Sequence, residues 1–212
     1  FQCLLTYYWL NIKESCSLLA NLAHLQSICE NEFITKDTLI VIGRLIITAL
    51  MRCRHKGAIE ACCLSLGLFA QSTLAIKFEK EVTIPQTLLL ETISQLKDSV
   101  KHSSTTRRSA GFGMIIKGIL VGEAKYLKAN SSQITGNIKS SFHIAVEKLI
   151  SFINLDLNQA NSSTDNIQSV SIHILRSLII STALSSLSLN ICERLILICI
   201  EGLSSPIWSI RN

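Results

Sequence analysis

Five histidines and eight cysteines are the residues of this 212-residue chain best suited to hold a metal or to act as nucleophile and base. Their spacing supports neither role. His55 and Glu60 stand five apart where a helix would begin, which is not the H-E-x-x-H spacing that sets two imidazoles on one helical face. A capping or first-turn role suits them better, because carboxylates are favoured in the first turn of a helix. Cys3, Cys16, Cys29, Cys53, Cys62, Cys63, Cys192 and Cys199 include no C-x-x-C pair and show no zinc spacing. Most lie among Leu, Ile and Ala where a helix would bury them, as reduced core residues of a cytoplasmic protein do. Nothing fixes a distance between His173 and Cys192 or Cys199, so a Cys/His catalytic pair is not expected. Gly111-Phe112-Gly113 opens like a nucleotide loop, but it lacks a correctly spaced third glycine and a preceding strand. Gly118 and Gly122, four apart in apolar text, suit close packing of helices in a core better than a membrane dimer motif. The chain is therefore expected to be no enzyme, with no metal site and no cofactor.

The polar residues that remain informative are basic. Arg52, Arg54, His55 and Lys56 cluster at one inferred helix junction, and Thr106, Arg107, Arg108 and Ser109 at another. Junctions of stacked helices fall along common edges, where Arg and Lys contact phosphates while the helices keep them in register. Helix N-termini add amide donors for the same anion. The alternative is a solvated basic turn, or structural pairing with Glu14 or Glu60. A net charge of +5 suits a polyanionic partner without requiring one.

Helices must position these junctions. Between Phe1 and Cys29 the series Leu5, Trp9, Ile12, Cys16, Leu19 and Ala23 steps by fours and threes, one apolar stripe on a long helix. Thr35 to Cys53 repeats the pattern through Leu39, Ile42, Leu45 and Ala49. Gly57 to about Phe78 is apolar or small on nearly every side, which predicts a helix buried on two flanks. Thr83 or Ile84 caps a helix that has Pro85 in its first turn and ends near Asp98, followed by a polar loop over Ser99 to Thr106. Another helix begins around Arg107, runs through Ile115, Ile116, Ile119 and Leu120, and fades between Glu123 and Gly136. Ser140 to Phe152 is amphipathic, Asn154 to Asn166 is the least structured text, and two helices follow at Ile167 to Leu184 and Leu187 to Gly202. Pro206 marks a further start.

About eight helices with short links and no hairpin signal predict an all-α fold. Stacked antiparallel helix pairs, a HEAT/ARM-like α-solenoid, suit this order better than a four-helix bundle, although no strict repeat period is visible. The composition, 48% hydrophobic and 17% charged with two prolines, belongs to a folded chain. With no initial Met and an opening directly into helical text, residues 1–212 read as a single segment of a longer helical-repeat protein, with a polar loop at about 154–166. Leu39 to Met51 is interrupted by Arg44, and Ile191 to Ile200 by Glu193 and Arg194, so no membrane span is expected. The sequons at Asn130 and Asn161 are then coincidental.

Five blocks resemble, in order, the central domain of the THADA (thyroid adenoma-associated) family. They are Trp9 with Lys13-Glu14; His55-Lys56-Gly57-Ala58-Ile59-Glu60; Thr106-Arg107-Arg108-Ser109-Ala110-Gly111; Asp165-Asn166 with Ile174-Leu175-Arg176; and Gly202 to Asn212, especially Ser205-Pro206-Ile207-Trp208-Ser209-Ile210-Arg211-Asn212. Two positions depart from the family pattern. Phe112-Gly113 stands where an apolar residue followed by Pro is usual, which loosens that helix start. His173 replaces a usual Asn, and no role is carried onto it. The resemblance implies a cytoplasmic HEAT/ARM-like adaptor. In its fungal and animal members the family pairs with an FtsJ-type ribose methyltransferase and directs 2′-O-methylation at the first nucleotide of the tRNA anticodon loop. The partner would supply S-adenosylmethionine binding, for which this chain lacks the parallel strands and glycine-rich turn. Carried over by residue, Arg107 and Arg108 are the first candidates for RNA or partner contact, then Lys56, Arg54 and Arg52. Trp9, Glu14, Gly57, Glu60, Gly111, Pro206, Trp208 and Arg211 are expected to be structural, with Trp9 an apolar anchor. A helical scaffold that binds only protein is the competing expectation.

Overall fold

Apolar side chains recurring every three or four residues can be buried together only on one face of a helix, and most of the chain obeys that period. A computed structural model describes residues 2–29, 31–76, 82–99, 109–130, 140–154, 162–204 and 210. Its helices are α1 (Gln2–Ile28), α2 (Lys36–Arg52), α3 (Lys56–Ala75), α4 (Ile84–Ser99), α5 (Ser109–Ala129), α6 (Ser141–Ile153) and α7 (Ser162–Ile179). A short α8 (Ser185–Ser188), flanked by 3-10 turns at Thr182–Leu184 and Leu189–Ile191, leads into α9 (Cys192–Leu203). Among the described residues there is no strand, and the fold is all-α.

Local chemistry sets the helix starts. Thr35 Oγ1 accepts from the Thr38 N–H at 3.3 Å, Thr83 Oγ1 from Gln86 at 3.3 Å, and Ser140 Oγ from Phe142 at 3.2 Å. Each such cap contributes about 1 kcal/mol. The link between α1 and α2 is tied by buried Gln26, whose Oε1 accepts from the N–H groups of Phe33 and Ile34 at 2.9 and 2.8 Å.

The helices form two layers. α1, α3, α5 and α7 lie side by side in that order; α2, α4 and α6 make the second layer; each helix also packs on its neighbours in sequence. Among the described residues, two cross-helix ion pairs tie the second layer together and join α9 to it. Arg44 of α2 reaches Glu91 of α4 through two hydrogen bonds of 3.0 and 2.6 Å, and Arg194 of α9 pairs with Glu147 of α6. The alternation of successive helices between the two layers makes the molecule a helical-repeat stack.

The core runs between the layers. Leu39, Ile46 and Leu50 of α2 meet Leu66 and Phe69 of α3, Leu88, Leu89 and Ile93 of α4, and Ile115, Ile116 and Ile119 of α5, all with 2% exposure or less. Burying one such side chain contributes about 1.5–3 kcal/mol. α3 has α1 on one flank and α5 on the other, as its all-round apolar surface requires. At the α3–α5 contact the backbones nearly touch. A Cβ on Gly118 would lie 3.1 Å from the Cys63 carbonyl oxygen, and one on Gly122 only 2.3 Å from that of Gly67.

Several sequence expectations need correction. Leu45, expected on the apolar stripe of α2, is 53% exposed, and Ile46 and Ile47 face the core instead. α5 ends at Ala129, inside the stretch Glu123 to Gly136 where it was expected to fade, and Glu123 is turned inward to the start of α6. Of the polar stretch expected over 154–166, residues from Ser162 belong to α7, and residues 155–161 lie outside the described residues. The expected helix to Leu184 stops at Ile179. Between there and Cys192 the serines turn on their own backbone, with Ser185 Oγ donating to the Thr182 carbonyl and Ser188 Oγ to that of Ser185, both at 3.0 Å. Four of the eight cysteines are buried, Cys16, Cys53, Cys62 and Cys63, while Cys3, Cys29 and Cys199 are exposed and Cys192 is half-buried. Among the described residues two stretches, Lys56–Ala75 and Thr182–Leu203, are long and apolar enough to cross a bilayer; the first is sandwiched in the fold and the second is 22% buried.

Candidate nucleic-acid interface

The turn joining α2 to α3 carries the first basic cluster. Cys53 is buried and ends α2, its N–H donating to the Ala49 carbonyl at 2.8 Å. His55 starts α3, its Nδ1 accepting from the Ala58 N–H at 3.3 Å. This bond requires an unprotonated Nδ1, which places the proton of a neutral ring on Nε2. Around these two anchors Arg52, Arg54 and Lys56 point to solvent.

The cations are not consumed by structure. Among the described residues neither Arg52 nor Arg54 has a carboxylate within ion-pair reach. Lys56 lies 3.9 Å from Glu60 with 91% of its side chain exposed, a contact worth little in water. Glu14 is engaged by Lys13 at 3.3 Å instead. The turn is thus an electropositive corner facing water.

α1 crosses this corner. The Trp9 ring, half-buried, stacks on the His55 ring with centroids 3.9 Å apart and an interplanar angle of 18°. Nothing in the sequence signalled this partnership, because the two residues are 46 positions apart and meet only once α1 and α3 are neighbours in one layer. Gly57 sits beside the same ring; a Cβ there would lie 3.3 Å from His55 Cε1. Gly111, in the first turn of α5, packs on the end of α2, where a Cβ would lie 3.0 Å from Met51 Sδ. The helix that Arg107 and Arg108 precede in sequence therefore starts beside the residue that precedes Arg52. Arg107, Arg108, Pro206, Trp208 and Arg211 themselves lie outside the described residues.

Elsewhere, an apolar hollow of about 310 Å³ opens between α7 and α9, lined by Leu175, Ile179, Leu195 and Ile198, with Arg176 and Cys199 as its polar members. Among the described residues no group of three or more His, Cys, Asp or Glu is placed to hold a metal. Burial pushes the Cys63 thiol above its usual range, and the hydrogen bond to Cys16 together with burial does the same to Cys62. Both therefore stay protonated, unlike an activated nucleophile.

Comparison with known proteins places the whole chain. A family model described as THADA/TRM732, DUF2428, matches residues 1–209. The chain belongs to that family. It is 29% identical over 212 residues to the protein of Schizosaccharomyces pombe named tRNA (32-2'-O)-methyltransferase regulator trm732, covering 100% of this chain and 13% of that protein. It is 28% identical over 221 residues to the Mus musculus tRNA (32-2'-O)-methyltransferase regulator THADA, and 27% over 226 residues to the Homo sapiens one, covering all of this chain and 11% and 10% of theirs. The chain thus spans about a tenth of the length of these family members. No solved structure matches it.

Proposed function

We propose that this chain is one stretch of a cytoplasmic, HEAT/ARM-like adaptor, itself non-catalytic, that holds tRNA while a partner FtsJ-type methyltransferase modifies a ribose of the anticodon loop. Two kinds of support meet here. Relatives that cover all of this chain carry the name of tRNA (32-2'-O)-methyltransferase regulator. The observation that carries the reading is the exposed turn of Arg52, Arg54 and Lys56, whose charges are left to water by the fold. The task of such an adaptor is positional. Phosphate contacts fix the register of the RNA, a rigid helical frame keeps those contacts in place, and the partner supplies the cofactor and the chemistry.

A second reading, a scaffold that binds protein alone, draws on the exposed Leu4, Tyr7 and Tyr8 of α1 and Ile196, Leu197 and Ile200 of α9. One experiment separates the two. In the full-length protein, Arg52→Ala with Arg54→Ala, and separately Arg107→Ala with Arg108→Ala, should lower ribose methylation of the anticodon loop at least about tenfold, each lost phosphate contact weakening the grip on RNA. Methylation is read by mass spectrometry on purified tRNA, and circular dichroism reports the fold. Unchanged methylation in both variants leaves the scaffold reading; a lost fold makes the arginines structural.

A further inference from the structure

We propose that Trp9 and His55 form a stacking platform for one unpaired nucleobase, with Arg52, Arg54 and Lys56 placed for the phosphates on either side of it. The inference rests on the reading that this corner holds RNA, and adds what part of the RNA it takes.

Four observations converge. The rings are parallel to within 18° at 3.9 Å, so they already form a two-step stack that a third flat ring can extend. The stack is at the surface, with His55 exposed and Trp9 only half-buried, so aromatic area is left in water where interior packing would have covered it. The His55 ring is held in place by the Ala58 N–H on its Nδ1, which lowers the entropy lost when a base settles on it. Gly57 leaves the ring's flank clear, where any side chain would begin 3.3 Å from Cε1.

The surrounding charge selects the ligand class. Aromatic side chains interleaved with cations that track a backbone are the chemistry by which proteins hold single-stranded nucleic acid. In a duplex both faces of each base are already stacked, so a platform of this kind takes bases from loops and ends. Apolar ligands alone would leave the three cations unused, and a bare polyanion would leave the rings unused.

Binding to the full-length protein is measured with a seven-nucleotide single-stranded RNA and with an abasic strand of the same length and charge. The RNA is expected to bind about tenfold more tightly than the abasic strand, the scale of one base stacked on an aromatic side chain. His55→Asn keeps an acceptor for the Ala58 N–H while removing the ring, and Trp9→Leu keeps apolar bulk while removing the stack. Both should erase the difference between the strands and leave abasic binding unchanged, and His55→Asn decides alone should Trp9→Leu unfold. Equal binding of the two strands by the unaltered protein, or a difference that survives His55→Asn, overturns the platform. Arg52→Ala with Arg54→Ala should weaken both strands; if it weakens neither, the RNA reading of the corner fails as well.

Discussion

Glu123 is the one carboxylate of α5 and is 7% exposed, an expensive place for a charge. Its Oε1 accepts from the Ser141 N–H at 3.1 Å, at the positive end of α6, while Oε2 is buried without a hydrogen-bond partner. Burial raises its pKa above the ordinary 4.5, against the smaller opposing effect of the bonds to Ser141. In the folded protein the carboxyl therefore keeps its proton at pH values where the unfolded chain has released it. The stability this contributes is fully present below about pH 4.5 and is lost as pH rises through the folded value. Glu123→Gln removes that titration. Its melting temperature should match the unaltered protein near pH 4.5 and exceed it at pH 7, by a few degrees for each 1 kcal/mol gained. Thermal unfolding followed by circular dichroism from pH 4.5 to 8 tests this, and parallel curves for the two proteins would show that the carboxyl is not perturbed.

The helices of the first layer touch through glycine. Gly67 of α3 with Gly118 and Gly122 of α5 let two backbones approach where a single methyl group would collide with a carbonyl oxygen at 2.3 Å. No side-chain rotation relieves that contact, so Gly122→Ala must push α5 away from α3. The expected cost is about 2–3 kcal/mol, at the upper end for an overpacked core, although alanine by itself favours a helix over glycine by about 1 kcal/mol. Chemical denaturation measures it; a stabilised Gly122→Ala protein would mean that the seam is looser than described. Much at this scale was legible in advance. Gly118 and Gly122 read as a close helix contact, the cap at Thr83 follows from residue type, and the doubly flanked α3 follows from its apolar girth. What was not legible depends on competition between nearby side chains and backbone, as in the serine turns after Ile179, or on one residue's orientation, as in the exchange of Leu45 for Ile46. In both cases the apolar period is satisfied by either outcome, so periodicity cannot choose.

At the scale of the whole molecule, the alternation of helices between two layers survives without any matching residues to announce it. Stacking needs only an apolar stripe of the right width on each helix, which many sequences supply, so the repeat is kept in geometry while its letters drift. The same stacking brings Trp9 to His55, and Gly111 to Met51, across separations that local patterns do not encode. The basic residues of the corner were therefore readable from sequence, and the aromatic stack among them was not. Electrostatics at this scale can be measured directly. Each phosphate contact releases condensed counterions, giving a slope of about −0.7 per contact for single strands in log affinity against log salt. Replacing Arg52, Arg54 and Lys56 together by Ala should flatten the slope for anticodon-loop RNA by about 2. Lys148→Ala, an exposed cation on α6 in the other layer, tests whether net charge alone is responsible. The slope should change by less than a third as much with Lys148→Ala if the grip is local, whereas equal changes per cation would mean that the RNA feels the charge of the whole surface and no particular corner.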